Sequence, residues 1–144
     1  MYSQDNPILQ LYKQPLHKEI IKNPTFERTE VNRSCGDSIT LFVSLDSSTQ
    51  RVSQVSFQGD GCSLSLSSAE LLCRLVSGKT ESEAASLAHS FLDFLKSDPS
   101  VPMPNHLPRE FGYYNDLRSF PMRQKCAAMA WEILVSVFSS ESDP

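Results

Sequence analysis

The period of apolar positions changes several times along this chain, and each change predicts an element. Ile39, Leu41, Val43 and Leu45 alternate with Thr40, Phe42, Ser44 and Asp46. Period two with one strongly apolar face is the mark of a half-covered β-strand. Residues at about 26–33, F-E-R-T-E-V-N-R, are mostly polar and suit an edge strand. Residues at about 51–57 place Val55 and Phe57 on one face, and Asp46-Ser-Ser-Thr-Gln50 supplies a polar turn before them. Together the three segments predict an antiparallel meander with one face covered by helices, an α+β fold.

Helical spacing takes over elsewhere. Ile8, Leu11 and Tyr12 share one stripe, and Leu16, Ile20 and Ile21 share another, with Pro15 between them and Asn23-Pro24 as a stop. Gly59-Asp60-Gly61 is expected to break the third strand. After it Leu64, Ser68, Leu72, Leu75 and Val76 follow a helical face, with Leu71 alongside and Gly78 as terminator. Thr80 and Glu83 form a capping-box pair, so a second helix is predicted from near 81 to near Lys96, with Ala84, Leu87, Ala88, Phe91 and Leu95 inward. Residues 97–121 hold Pro99, Pro102, Pro104, Pro108 and Pro121, which exclude a long helix. Leu107, Phe111, Tyr113, Tyr114, Leu117 and Phe120 make the region too apolar for a solvated linker. A proline-rich, packed loop with a short helical turn is expected there. A last helix spans Met122 to Ser139, opened by Pro121, with Cys126, Ala130, Ile133, Leu134, Val137 and Phe138 on its apolar stripe.

Composition narrows the class. The chain has 144 residues, 40% hydrophobic and 21% charged, which reads as one globular domain over 1–144. A chain of this size buries roughly two thirds of its unfolded surface, so folding does not require a metal. The net charge of −4, with no run of five like charges, argues against a general nucleic-acid binder. Arg109, Arg118, Arg123 and Lys125 form the one late basic grouping. No run of 18 apolar residues predicts a membrane span, and the first residues lack the basic start and apolar core of a signal peptide. The expected location is cytoplasmic, where four cysteines read as thiols or ligands and not as disulfides.

Cysteine placement carries the chemistry. Cys35 stands in R-S-C-G-D, with Asp37 two residues on. In extended backbone those two side chains point the same way. Cys62 follows G-D-G and begins a helix, a position whose exposed N–H groups favour a thiolate. Cys126 lies in the opening turns of the last helix beside Lys125 and three residues after Arg123, and cations near a thiol stabilise its thiolate. Three thiolates and a carboxylate suffice to close a tetrahedral metal site, though each cysteine taken alone also suits a turn or a core position. Cys73 lies eleven residues past Cys62, about 16 Å along a straight helix, too far to share one ion; it reads as a core or surface thiol. His17 and His89 read as surface or satisfied helical groups, while His106 in the proline-rich loop is the one histidine that could approach the cysteines. G-D-G lacks the third glycine, the G-K-[ST] and the parallel βαβ setting of a nucleotide site.

Three segments in order, S-C-G-D, G-D-G-C-S-L-S-L-S-S-A and R-Q-K-C-A-A-M-A-W, resemble the three cysteine motifs of the iron–sulfur scaffold superfamily, and more narrowly its SufU-type branch. The resemblance covers nearly the whole chain. IscU-type scaffolds place a histidine before the third cysteine, whereas Lys125 stands there in this chain. The connection from Cys62 to Cys126 is also longer than in the IscU type. Relatives commonly show N-P-x-C-G-D at the first motif; proline is missing before Ser34, but the four ligand positions are intact. The resemblance implies a SufU/IscU-like sandwich, a three-stranded antiparallel sheet packed against helices. It implies zinc, one per chain, held by Cys35, Asp37, Cys62 and Cys126. It further implies a zinc-dependent sulfurtransferase in iron–sulfur cluster assembly. Persulfide sulfur would pass from a pyridoxal-phosphate cysteine desulfurase of the SufS type to Cys126, with Arg123 and Lys125 steadying the thiolate, and downstream scaffold components would receive it. Asp37 is cast as ligand and tuner, because thiolate attack requires no proton abstraction. Two alternatives stay open: an iron–sulfur cluster assembly scaffold, and a structural zinc module without sulfur transfer.

Overall fold

The computed structural model describes residues 6–34 and 36–142, with side chains up to residue 138. Its sheet follows the alternation. Strands β1 (Phe26–Asn32), β2 (Asp37–Leu45) and β3 (Val52–Asp60) pair antiparallel in the order β1-β2-β3. Ile39, Leu41 and Val43 of β2 are fully buried, while the middle of β1 is exposed along its length, as an edge strand with charged residues should be. Phe42, on the opposite face of β2, is buried too, as is Ile21; both lie outside the main core.

Helices α2 (Ser63–Val76) and α4 (Pro121–Ser142) cover the apolar face, while α1 (Pro7–Lys13) packs on α2 and α3 (Glu81–Lys96) on α4. Helix α2 is the central one, buried continuously from Ser65 to Cys73. Its serines are affordable inside because each finds a partner. Ser67 shares a 2.8 Å hydrogen bond with the Tyr114 hydroxyl, and the Ser68 hydroxyl donates to the Ala127 carbonyl at 2.6 Å while accepting from Trp131 Nε1 at 3.0 Å. These bonds set the register of α4 on α2. Helix α3 begins where expected: the Thr80 hydroxyl accepts from the Glu83 N–H at 3.1 Å, and the Glu83 carboxylate accepts from the Thr80 N–H at 3.0 Å. Phe91 then stacks into an aromatic cluster with Phe111, Tyr114 and Trp131, centroids 4.8, 5.7 and 4.9 Å away.

Three expectations change. Residues 16–21 are not helical. The N–H groups of Leu16 and His17 donate to the buried Glu70 carboxylate at 3.0 and 2.9 Å, and Phe57 N–H donates to the His17 carbonyl at 3.0 Å. Those distant partners hold the segment extended, with a parallel bridge from Lys18 to Phe57, and leave Leu16 and Ile20 exposed. His17 is therefore not a helical residue. Strand β3 is not broken at Gly59; it pairs Gly59 with Ile39 and Asp60 with Ser38. The proline-rich region contains a 3₁₀ stretch, Arg109–Ser119, longer than a single turn. Buried Arg118 ties it down, donating from Nη1 to Asn115 Oδ1 at 2.9 Å and from Nη2 to the Asp98 and Val101 carbonyls, with its guanidinium 5.0 Å from the Phe94 ring. No helix among the described residues is long and apolar enough to cross a membrane.

Candidate metal centre

Sheet register delivers the first two site residues together. Asp37 opens β2 opposite Asn32, and Asp60 closes β3 opposite Ser38, so the residues that follow Asp60 run past the Asp37 side chain. Gly61 is needed at that crossing: a Cβ there would stand 2.6 Å from Asp37 Oδ1. Gly59, at φ +151°, is needed one step earlier, because a Cβ would overlap the Ser38 carbonyl oxygen. Cys62 comes next as the N-cap of α2, and its N–H donates to Asp37 Oδ1 at 2.9 Å. The cysteine sulfur makes no capping bond of its own. It lies 3.8 Å from Asp37 Oδ2 and 3.5 Å from Ser65 Oγ. The Ser65 hydroxyl donates to Asp37 Oδ2.

Helix α4 brings the third. Cys126 is buried, next to the Ala127 carbonyl that Ser68 holds. Ligand atoms of Asp37, Cys62 and Cys126 all lie within 4.8 Å of one another. In tetrahedral zinc sites, bonds of roughly 2.0–2.3 Å place neighbouring ligand atoms about 3.3–3.8 Å apart. The three therefore need only a contraction of about 1 Å to share one ion. Cys35 lies outside the described residues.

The state of the carboxylate tests whether a cation fits. Asp37 and Glu70 are the fully buried carboxylates among the described residues. Glu70 is balanced: Arg74 Nε and His17 Nδ1 each lie 2.7 Å from its Oε2, and two backbone N–H groups bind its Oε1. Asp37 has a backbone N–H and a hydroxyl, and none of the ion pairs among the described residues includes it. A buried carboxylate with no ion pair among the described residues, beside two sulfurs, is chemically suited to a thiophilic divalent cation.

The other residues singled out in the sequence are dispersed. Lys125 is exposed and lines a groove of about 520 Å³ between β1 and α4, together with Arg33, Ser34, Glu30 and Glu132. Desolvation raises the Glu132 carboxyl above its ordinary range, Lys96 opposes the rise and Glu30 adds to it. Arg123 is exposed, its guanidinium 5.7 Å from the Phe120 ring. His106 lines a separate groove of α3 and the proline-rich loop with Phe94 and Val101, His89 is exposed on α3, and His17 is taken up by Glu70. Cys73 is fully buried in the core, and burial, then the nearby Glu70 charge, pushes its thiol well above the ordinary value. Sequence reasoning assigned no role to Ser65. The available signal was its spacing, three residues after an N-cap, where a side chain reaches back toward the cap.

A family model described as the NifU-like N-terminal domain matches residues 2–136. The chain is 30% identical over 130 residues to a Bacillus subtilis protein described as the zinc-dependent sulfurtransferase SufU, covering 88% of this chain and 83% of that protein. It is 32% identical over 106 residues to a Streptococcus pyogenes iron–sulfur cluster assembly scaffold protein IscU, covering 72% of this chain and 62% of that protein. Among solved structures, one from Fervidobacterium islandicum, described as a candidate iron–sulfur cluster assembly scaffold for the SUF system, superposes with a TM-score of 0.83 at 25% identity, over 95% of this chain and 96% of that one. The N-terminal part of a Brucella abortus NifU-like protein shares the fold, with a TM-score of 0.81 at 17% identity over 96% and 95% of the two chains.

Proposed function

This chain belongs to the NifU-like N-terminal domain family, and we propose that within it the protein is a zinc-dependent sulfur acceptor. The observation that carries the reading is the buried Asp37 carboxylate, lacking an ion pair among the described residues and gathered with Cys62 and Cys126 within 4.8 Å. Cys35, Asp37, Cys62 and Cys126 would hold the ion. Bound zinc supplies a redox-inert Lewis acid that keeps its cysteine ligands as thiolates. Every electron-pair movement then belongs to sulfur.

The donor is a cysteine desulfurase of the SufS type carrying a persulfide. The Cys126 thiolate attacks the outer sulfur of that persulfide. A new S–S bond forms on Cys126, the old S–S bond breaks, and the electron pair departs with the desulfurase thiolate. The proton on the outer sulfur travels with it, so nothing is oxidised or reduced overall. Arg123 and Lys125 are exposed in the opening turns of α4 that also carry Cys126, and would supply positive charge to an anionic persulfide formed there. Asp37 stays a ligand and has no proton to move. Downstream components of cluster assembly would receive the sulfur.

Incubation with desulfurase and cysteine, followed by mass analysis of alkylated peptides, tests the assignment. One added sulfur on the Cys126 peptide, absent in Cys126→Ser, is the expected result; addition on Cys35 or Cys62 alone sinks it. A second reading has its own support, since relatives at 32% and 28% identity are described as IscU scaffold proteins. The same donor set could carry a cluster. Lys125, where that type places histidine, favours zinc. Anaerobic purification separates the two: a stoichiometric iron–sulfur chromophore with little zinc would favour assembly on this chain.

A further inference from the structure

We propose that Ser65 is a positioning residue of this centre, whose single hydroxyl proton holds Asp37 in ligating orientation and sets how firmly the carboxylate and the Cys62 sulfur stay in place. The inference rests on the zinc reading above and concerns a residue which that reading does not use.

Geometry carries it. Ser65 is fully buried and occupies the third position of α2, one turn after the N-cap Cys62. Its Oγ donates to Asp37 Oδ2 and stands 3.5 Å from Cys62 Sγ. The other carboxylate oxygen takes the Cys62 N–H at 2.9 Å. Both donors come from the first turn of one helix, so the carboxylate is pinned at two atoms to a single rigid element. An ionised carboxylate has about four lone-pair sites. Two are taken by these donors; the Cys62 thiol also reaches Oδ2 at 3.8 Å, a contact that ligation of both groups to one ion would replace.

A hydroxyl has one proton, and here it has two acceptors in reach. Donated to Asp37, it orients the ligand, as groups behind metal ligands commonly do. Rotated about its own bond, it reaches the Cys62 sulfur instead, within the range of a sulfur hydrogen bond. Ser65 can therefore follow whichever of the two ligands loosens from the ion. The backbone N–H of Cys62 cannot do this, because it points at Oδ1 alone. In Ser65→Ala, the fully buried Asp37 loses the hydroxyl donor to its Oδ2. The carboxylate can then turn away from the ligating orientation.

The test uses the full chain with Ser65→Ala and Ser65→Thr. Zinc affinity is read by competition with a chromophoric chelator, and zinc release by the rate of transfer to that chelator. Ser65→Ala should bind zinc about 10–100-fold more weakly, with faster release. Ser65→Thr, which keeps the hydroxyl, should recover at least the larger part of the loss. Thermal unfolding of the metal-free proteins is the second measurement: Ser65→Ala should melt several degrees lower than wild type, because Asp37 has lost a donor without any metal being involved. Ser65→Ala that binds zinc within threefold of wild type overturns the proposal, as does Ser65→Thr that is as weak as Ser65→Ala while still folded. Failure of the zinc reading looks different: wild type itself would bind no zinc, while the metal-free stability difference would persist.

Discussion

Gly61→Ala separates the close approach at the metal centre from every other contribution at that position. The added Cβ would stand 2.6 Å from Asp37 Oδ1, 3.0 Å from its Cγ and 3.2 Å from its Cβ. Ordinary contact begins near 3.4 Å, so the carboxylate oxygen must retreat by roughly 0.8 Å. That retreat breaks the 2.9 Å bond from the Cys62 N–H. Losing a hydrogen bond to a buried charged group costs about 1.5–3 kcal/mol. Gly61 does not have a left-handed φ, so alanine also gains about 0.4–1 kcal/mol through the unfolded chain. The net loss is about 0.5–2.5 kcal/mol. With an unfolding entropy of about 2.1 cal/mol/K per residue, the metal-free protein should melt about 2–8 °C lower. Zinc affinity should fall about 10–100-fold, since a displaced ligand is at least as harmful as a displaced supporting group. A double-mutant cycle makes the test sharp. In an Asp37→Ala background Oδ1 and Cγ are gone and only the Cβ at 3.2 Å remains. There the gain through the unfolded chain persists and only that crowding opposes it, so alanine at 61 should be near neutral or slightly stabilising, giving a coupling of about 1 kcal/mol or more. Thermal and urea unfolding in chelator measure both backgrounds. Equal losses with and without the Asp37 carboxylate, or full zinc affinity in Gly61→Ala, would refute the reasoning.

Other outcomes follow from the same structure. Glu70→Ala strands His17, Arg74 and two backbone N–H groups; unfolding midpoints should show a loss of about 3 kcal/mol, near the lower end for a broken buried ion pair because Arg74 and His17 are partly exposed. The Glu83 carboxyl is held below its ordinary value of 4.5, chiefly by the Thr80 N–H. Its contribution is complete above the unfolded value and is lost as pH falls through the lower folded one. The stability gap between wild type and Glu83→Gln should therefore be present at neutral pH and close under acid; a gap constant to about pH 3 would contradict the assignment. Cys73, buried and with a thiol pushed well above its ordinary value, should resist iodoacetamide in the native metal-free protein while exposed Cys62 reacts. Peptide mass spectrometry at timed quench points reads the order, and equal rates would contradict it.

The parts of the fold that were legible in the sequence are those whose cause is local. The Thr80–Glu83 box and the Ala84, Ala88, Phe91, Leu95 stripe contain the reasons for α3 within themselves. Alternation in β2 does the same for the sheet face. Residues 16–21 show the opposite case. Their apolar spacing satisfies a helix, but the donors of Leu16 and His17 are taken by a carboxylate more than fifty residues later. No window around residue 16 contains that partner, and tertiary hydrogen bonds outweigh a short helix with a costly nucleus.

The candidate site divides along the same line. The gathering of Asp37, Cys62 and Cys126 was legible because residues able to bind a metal are chemically distinctive, and three spaced motifs are specific together. Their support was not. Gly59 and Gly61 read as a strand break, since glycine in a strand is normally a weakness. In the folded chain they are what lets β3 run to Asp60 and pass within contact of Asp37. Ser65 was given no role, because serine is a distinctive residue only once its partner is known. The same physical fact explains both misses. A ligand is recognised by what it is, whereas a residue that positions a ligand is recognised by what it touches, and that contact is set by strand register and helix packing. Substitutions at Gly61 and Ser65 should therefore disturb this centre without removing any of its ligands.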